Sequence, residues 1–262
     1  MALALLIILS GITLASAYLF THPWLPFAAS STARAIDASM LNNIALVGIA
    51  FIASHLLLAG LLWRYRDDRP TPVAAAPNYE RKIEFTAIGI AIVLFMGMNI
   101  SGQRIWARTS PLNSAEKAEV VRVEVVAEQF RWYFRYPGAD GVFGKRRVVL
   151  QDASLGNPLG LDKTDAAAVD DVVATTLMLP AGTDVRLSLR THDVVHSFFV
   201  PALRLKQDSL PGRPIALGLR VDQPGEYEIV CAELCGLGHH AMNSKLKVVP
   251  RDEFESWSRA SR

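Results

Sequence analysis

The sequence is short of cysteine and of net charge, and each shortage excludes a class of protein. Only two of the 262 residues are cysteine, too few for a small domain held together by several disulfides. The formal net charge is +2, too small for the basic surface of a nucleic-acid-binding protein. Charged residues still make up 20% of the chain, so the composition does not indicate disorder.

Charge is scarcest in the first part of the chain. Residues 1–112 contain eight Lys or Arg and five Asp or Glu, whereas residues 113–262 contain nineteen and twenty. Long apolar runs followed by a normally charged segment are typical of a membrane anchor joined to a globular domain. We therefore predict a transmembrane anchor at 1–108 and a globular domain at 109–262.

Three apolar runs predict helices near residues 2–20, 40–63 and 84–106. A helix needs about 20 mainly apolar residues to cross a bilayer, and the second and third runs reach that length. The first run is compatible with either a retained helix or a cleaved signal peptide. Its Ala15-Ser16-Ala17 resembles a cleavage site, but no Lys or Arg precedes the run, which favours a retained helix.

The loop between the second and third runs is rich in basic residues. They are Arg64, Arg66, Arg69, Arg81 and Lys82. The positive-inside rule places this loop in the cytoplasm. The domain that follows the third helix is then on the extracytoplasmic side.

Alternating apolar and polar residues predict strands in the globular part, most clearly at 121–125, 185–189, 215–221 and 226–229. Period-two segments bounded by Pro and Gly indicate an antiparallel sandwich or barrel. The polar stretches 140–144 and 152–171 are expected to be loops. A short helix is expected at Arg251–Ser258.

One short segment after the last predicted strand holds most of the residues able to do chemistry. Its two thiols, two imidazoles and thioether are Cys231, Cys235, His239, His240 and Met242. Soft ligands of this kind favour copper, zinc or iron–sulfur clusters, and thiolate with imidazole and a weak Met is typical of copper electron-transfer sites. A mononuclear blue-copper site needs one Cys only, whereas two thiolates four residues apart can bridge two copper ions.

Two bridged copper ions each need a terminal imidazole. His239 supplies one, with His240 as its nearest competitor, and His196 is well placed to supply the other because it lies between a predicted strand and an apolar stretch. Two alternatives stay open at this point. The cysteines form a disulfide by default on the oxidising side of a membrane, and a structural zinc site is possible, although Met is a poor zinc ligand.

The string Cys-x-Glu-x-Cys-x3-His-x2-Met, with an upstream Asp-x-x-His-Ser-x-x-x-Pro, resembles subunit II of the haem–copper cytochrome c oxidases. The resemblance covers roughly residues 36–258 and includes the aromatic segment Gln129–Pro137 and the segment Lys206–Arg213. It implies a membrane-anchored, cupredoxin-like Greek-key β-barrel. It also implies an electron-input role in a proton-pumping terminal oxidase, with electrons passing from cytochrome c through a dinuclear copper A centre to haem in subunit I. Oxygen is reduced to water there, and this chain is not the oxygen-reducing subunit.

The resemblance assigns a ligand role to each residue of the string. Cys231 and Cys235 bridge both copper ions, and the terminal imidazoles are those of His196 and His239. The weak ligands are the Met242 thioether and the Glu233 backbone carbonyl. All are residues of loops, which a rigid β-domain would hold in place.

Four further assignments follow from the resemblance. The Glu233 side chain and Asp208 are implied to lie at a magnesium ion at the interface with subunit I. Glu84 matches a glutamate at the entrance of a proton channel, although an interfacial carboxylate is an equal interpretation. Asp193 matches an acid that attracts cytochrome c.

The chain also departs from the family pattern. Phe130 stands where the family commonly has a tryptophan that receives the electron, while Trp132 keeps the second aromatic position, so both are candidates for the electron route. His192 replaces a second docking acid. The extra first helix and an insertion at Asn157–Asp171 favour a bacterial cell membrane over a mitochondrial one.

The predicted partners of such an oxidase subunit are subunits I and III, a c-type cytochrome as electron donor and the lipid bilayer. Three alternative functions compete with this one. A quinol-oxidase subunit would have lost the copper ligands, and all are present. A membrane-tethered copper-binding domain outside an oxidase is argued against only by Glu84 and Lys206–Arg213. A copper A subunit of a nitric oxide reductase stays open.

Overall fold

The structure, a computed structural model, describes residues 2–21, 25–64, 79–109 and 120–261. The chain divides into two compact units, 1–26 with 35–105 and 27–34 with 106–262. Arg66 and Arg69, on which the predicted orientation depends, lie outside the described residues. That orientation stays a prediction.

Helices form the described part of the first unit. They are α1 (Ala2–Thr21), α2 (Ser31–Arg64) and α3 (Tyr79–Thr109). Each overlaps one predicted helix, but α2 and α3 begin before the predicted starts at residues 40 and 84, because polar residues at their N-terminal ends are also helical. Of the described residues, Ser31–Arg64 and Arg81–Ala107 are long and apolar enough to cross a membrane, whereas α1 holds a shorter apolar stretch, Ile7–Ser16. Apolar side chains such as Leu57 and Phe95 are exposed on α2 and α3, as expected for helices that face lipid.

The described part of the second unit contains two five-stranded sheets. The strands are β1 (Val121–Glu128), β2 (Arg131–Tyr136), β3 (Val172–Ala174), β4 (Leu177–Pro180), β5 (Asp184–Thr191), β6 (His196–Val200), β7 (Leu205–Ser209), β8 (Ile215–Arg220), β9 (Gly225–Cys231) and β10 (Asn243–Val249). The first sheet has the order β3-β2-β1-β5-β8, and the second has the order β4-β10-β9-β6-β7. The predicted β-domain behind an N-terminal helical anchor is confirmed.

The sheets are mixed and open, whereas the sequence pattern predicted antiparallel strands. β1 pairs with β5 in parallel, and β4 pairs with β10 in parallel. Between β1 and β5 the chain crosses to the second sheet through β4 and returns, so β5 runs in the same direction as β1. Period-two patterning indicates which face of a strand is buried, but it does not indicate the direction of the neighbouring strand.

The hydrophobic core lies between the two sheets. Val123 and Val125 of β1 belong to the same buried cluster as Phe198, Ile229 and Leu246 of the second sheet. The predicted C-terminal helix is α4 (Arg251–Ala260). It covers one end of this core.

Residues 27–34, which include the first turn of α2, belong to the same compact unit as the β-domain. The Ala29 backbone N–H donates to the Ala202 carbonyl at 2.9 Å, and its carbonyl accepts from the Asp222 N–H at 3.3 Å. The Ser31 N–H donates to the Asp222 carboxylate at 2.6 Å. Asp222 therefore satisfies a free backbone donor in the first turn of α2, as capping residues do.

The long connection between β2 and β3 folds onto the outer face of the first sheet. Arg135 of β2 is buried there in contact with Asp171, and it also donates to the Glu124 carboxylate of β1 at 3.1 Å. Arg146 of the connection reaches the same Glu124 oxygen at 3.0 Å. The stretch predicted as loops is thus held to the sheet by a buried ionic cluster.

Candidate metal centre

Three separate parts of the second unit meet at one end of the sheets. His196 is the first residue of β6 and Cys231 is the last residue of β9, and these strands pair with Phe198 opposite Cys231. The loop between β9 and β10 carries Cys235 back towards β6. Strand pairing therefore brings together two ligand residues that are distant in the sequence.

Potential ligand atoms of three buried residues converge at this point. The Nδ1 atom of His196 lies 3.9 Å from the Sγ atom of Cys231, which lies 4.0 Å from the Sγ atom of Cys235. All three residues offer a ligand atom within 4.8 Å of the others. The His196 side chain is fully buried, which keeps water away from the cluster.

The remaining residues of the predicted ligand string surround these three. His239 places Nδ1 3.6 Å from the Cys235 sulfur, and the buried Met242 places Sδ 3.7 Å from the same atom. The Glu233 backbone carbonyl lies 3.2 Å from the Cys231 sulfur. His240 is exposed, so the geometry favours His239 over its neighbour.

The two thiols are free and differ in acidity. Their sulfur atoms are 4.0 Å apart, about twice the ~2.05 Å of a disulfide bond. Burial raises the pKa of Cys231, but hydrogen bonds from His196, the backbone and His239 outweigh it and bring the pKa to about 6. Burial and the neighbouring Cys231 raise the pKa of Cys235 to about 11. Metal binding to both sulfurs would therefore release a proton from Cys235 at neutral pH.

Asp193 fixes the orientation of His196. The Asp193 carboxylate lies 2.8 Å from Nε2 of His196, which leaves Nδ1 directed at Cys231. Burial opposes ionisation of Asp193, but hydrogen bonds from His196 and from the Gln129 and Val194 backbones lower its pKa. A carboxylate behind a ligand imidazole is the usual arrangement in protein metal sites.

The turn between β1 and β2 packs against the ligand loop. The Gln129 side chain donates to the Cys235 carbonyl, and its backbone N–H donates to Asp193 at 2.7 Å. A Cβ atom at Gly238 would come within 2.4 Å of the Phe130 ring, so only glycine allows this approach. Sequence reasoning missed Gln129, because no spacing rule marks a side chain that supports the backbone of another loop.

The two candidate residues of the electron route differ in exposure. Trp132 is buried, and its ring is 6.2 Å from the His196 ring and 5.7 Å from the Phe198 ring. Phe130 is 38% exposed. Together they lie between the protein surface and the ligand cluster.

The other predicted site residues lie outside this cluster. The Asp208 carboxylate is 2.8 Å from Nζ of Lys206, and the Glu233 side chain is exposed. Glu84 is exposed near the start of α3. The magnesium and proton-channel assignments stay predictions.

The donor set fits copper. Two free thiols, two imidazoles and a thioether are soft ligands, and such ligands select Cu(I), zinc or iron–sulfur clusters over hard cations. The thioether favours copper within this group. These residues are able to hold a soft metal and to exchange an electron through it.

Comparisons with known proteins identify the family to which the chain is similar. A family model described as "Cytochrome C oxidase subunit II, periplasmic domain" matches residues 121–249. The chain is similar to "Alternative cytochrome c oxidase subunit 2" of Bradyrhizobium diazoefficiens, with 32% identity over 98% of this chain and 91% of that protein. It is also similar to "Probable cytochrome c oxidase subunit 2" of Rickettsia prowazekii, with 30% identity over 82% of this chain and 65% of that protein.

One solved structure similar to the chain is the periplasmic domain of subunit II of cytochrome oxidase of Bradyrhizobium japonicum. The identity is 26% and the TM-score is 0.41, over 55% of this chain and 94% of that chain.

Proposed function

This chain belongs to the cytochrome c oxidase subunit II family, and we propose that it is the electron-input subunit of a proton-pumping terminal oxidase. It accepts electrons from cytochrome c or a bound c-type cytochrome and passes them to haem in subunit I, where oxygen is reduced to water. The convergence of His196, Cys231 and Cys235 within 4.8 Å supports this proposal most directly.

The ligand string is proposed to hold a dinuclear copper A centre. The ligands are the Cys231 and Cys235 sulfurs, the His196 and His239 imidazoles, the Met242 thioether and the Glu233 carbonyl. A copper centre held by these residues would supply one-electron transfer.

The protein's own contribution is to keep these ligands in place. The Cys231 N–H donates to the Met242 carbonyl at 3.1 Å, and the Ala232 N–H donates to the Ser197 carbonyl at 3.0 Å. These bonds tie both ends of the ligand loop to paired strands. A site on rigid elements rearranges little when its charge changes, which favours fast electron transfer.

The membrane and partner assignments extend this proposal. We place α2 and α3 across the inner cell membrane, with the β-domain in the periplasm, and subunits I and III beside them. Glu84 is proposed at the entrance of a proton channel. Asp208 and the Glu233 side chain are proposed at a magnesium ion shared with subunit I.

The donor is proposed to dock at the surface of the ligand loop. Leu237 is 98% exposed and Leu234 is 79% exposed, and Phe130 packs against the adjoining Gly238. Exposed apolar side chains near the ligands suit a transient partner, because they exclude water over the electron route. Asp193, 30% exposed, adds a negative charge that would attract a basic cytochrome.

Replacing Asp193 with alanine is expected to weaken copper binding by about 10–100-fold, as loss of a carboxylate behind a ligand imidazole does. The Asp193→Asn variant, which keeps a hydrogen-bond acceptor for Nε2 of His196, should lose less. Competition with a chelator of known copper affinity measures the effect. Equal affinity for wild type and Asp193→Ala would show that His196 needs no support from Asp193.

Electron transfer itself tests the proposed function. The full-length, copper-loaded chain in detergent is mixed rapidly with a reduced c-type cytochrome, and the haem absorbance is followed. We expect the haem to be oxidised at a rate that rises with cytochrome concentration and falls with added salt.

The copper-free chain is the matched control and should leave the haem reduced. If the copper-loaded chain binds two copper ions but does not oxidise any c-type cytochrome, the chain is a tethered copper-binding domain rather than an electron-input subunit.

A further inference from the structure

A cavity lies on the outer face of the first sheet, on the side away from the hydrophobic core. The β2–β3 connection and the turn before β8 enclose a cleft of about 530 Å³ over the outer face of β1 and β5. Small-molecule sites usually have volumes of roughly 300–1,000 Å³. The cleft is separate from the ligand cluster and has no part in the proposed electron route.

The cleft is lined by more basic than acidic side chains. Its charged residues are Glu124, Arg135, Arg146, Arg190 and Arg213. The positive charge of Arg135 is compensated by Asp171, with which it forms an ion pair. The remaining three guanidinium groups face a single carboxylate, which leaves two positive charges uncompensated among the residues that line the cleft.

Glu124 lies at the centre of the three guanidinium groups that it contacts. It accepts a hydrogen bond from Arg135 at 3.1 Å, and it forms ion pairs with Arg146 at 3.0 Å and with Arg190 at 2.7 Å. Its side chain is only 9% exposed. The arginines of the cleft are therefore arranged around the side-chain carboxylate of Glu124.

Two arginines have N–H groups that donate no hydrogen bond to a side chain of the described residues. Arg190 contacts Glu124 through Nε, and no contact of its two terminal nitrogens with a side chain of the described residues accompanies that ion pair; each terminal nitrogen carries two N–H donors. Arg213 is exposed in the turn before β8, with no side-chain partner among the described residues. Both residues line the cleft, and each guanidinium group carries paired N–H donors of the kind that bind carboxylate or phosphate groups with two hydrogen bonds.

Neutral donors complete the lining. Gln151 places Nε2 3.0 Å from Nε2 of His192, and Ser188 and Thr191 also line the cleft. Burial and the nearby Arg146 lower the pKa of His192. The imidazole is therefore neutral at neutral pH and accepts from Arg146 at 2.6 Å.

We propose that this cleft binds a small, doubly charged oxyanion of the phosphate type, held by Arg190 and Arg213. A dianion compensates the two excess positive charges, whereas chloride or a monocarboxylate compensates one. The phosphate group comes from a free solute in this proposal, and a phospholipid headgroup is the competing source.

Titration calorimetry of inorganic phosphate into the full-length chain in a neutral detergent tests the proposal. Sodium chloride keeps the ionic strength constant. We expect saturable binding of one phosphate per chain. Loss of one charge-assisted arginine contact is expected to weaken it at least about tenfold in Arg213→Gln and further in Arg190→Gln/Arg213→Gln.

Arg186→Gln is the matched control, because Arg186 is an exposed arginine of β5 that does not line the cleft. It should bind phosphate as wild type does. Arg213→Gln removes no ion pair of the described residues, so loss of folding cannot explain its effect. Equal affinity in wild type and Arg213→Gln, or no saturable binding in wild type, would overturn the proposal. So would binding that appears only with phosphatidylglycerol vesicles.

Discussion

Replacing Cys235 with serine is expected to leave the chain unable to hold two copper ions. The Cys235 sulfur is within 4.0 Å of the potential ligand atoms of Cys231, His239 and Met242. The Cys231 and Cys235 sulfurs each lie within 4.0 Å of three other potential ligand atoms of the string, so loss of either sulfur removes a shared contact. A hydroxyl is a hard, weak ligand for copper. We expect the copper content to fall from two ions per chain to one or none, with loss of the thiolate-to-copper absorption.

The matched control for this experiment is His240→Ala. His240 is the neighbour of a proposed ligand, but it is exposed. It should retain both copper ions and an unchanged spectrum, whereas His239→Ala should not. Two copper ions per chain in Cys235→Ser would contradict the assignment of Cys235 as a bridging ligand.

Replacing Arg135 with glutamine is expected to lower the free energy of unfolding by about 3–5 kcal/mol. The Arg135 side chain is 2% exposed, and it contacts Asp171, whose side chain is fully buried. Without the guanidinium group, Asp171 becomes a buried charge with no cationic partner at this position. Such a charge costs far more than a surface ion pair gains. Chemical denaturation followed by tryptophan fluorescence measures the loss.

Two further variants separate charge burial from loss of packing. Arg186→Gln, at an exposed position of β5, should change stability by less than about 0.5 kcal/mol. The double variant Arg135→Met/Asp171→Leu removes both charges and should recover most of the loss. If Arg135→Gln loses less than about 1 kcal/mol, the ionic cluster does not hold the β2–β3 connection to the sheet as described.

The ligand loop could be predicted from the sequence because most of its proposed ligand residues are close together in the chain. Cys231, Cys235, His239 and Met242 fall within one short segment, and soft donors at that spacing have few other uses. His196 was selected by its place between a predicted strand and an apolar stretch, but the pairing of β6 with β9 that brings it to the loop is not visible in the sequence. The helices were readable because apolar runs of about 20 residues are rare outside membrane-spanning segments.

Other features depend on tertiary contacts that leave no periodic signal. Glu124 and Arg135 alternate with apolar residues on β1 and β2, a pattern that usually marks a solvated face. Both are buried because the β2–β3 connection covers that face. The contact of Ala29 with Ala202 joins residues far apart in the sequence through backbone atoms alone.

Asp193 has two proposed roles, and its match to the family sequence indicates one of them. The resemblance marks it as a docking acid, and the structure also places its carboxylate 2.8 Å from Nε2 of His196. Copper affinity measures how far Asp193 supports His196. The dependence of the electron-transfer rate on cytochrome concentration measures how far Asp193 attracts the donor. A charge-conserving Asp193→Glu variant should keep donor attraction better than it keeps copper affinity, because the longer side chain shifts the carboxylate away from His196.

The electron paramagnetic resonance spectrum of the full-length, copper-loaded chain tests the central claim most directly. If Cys231 and Cys235 bridge two copper ions, one unpaired electron is shared equally, and the hyperfine pattern is that of two equivalent copper nuclei. A pattern from a single copper nucleus would contradict this account. So would two cysteines that titrate as a disulfide and leave copper unbound.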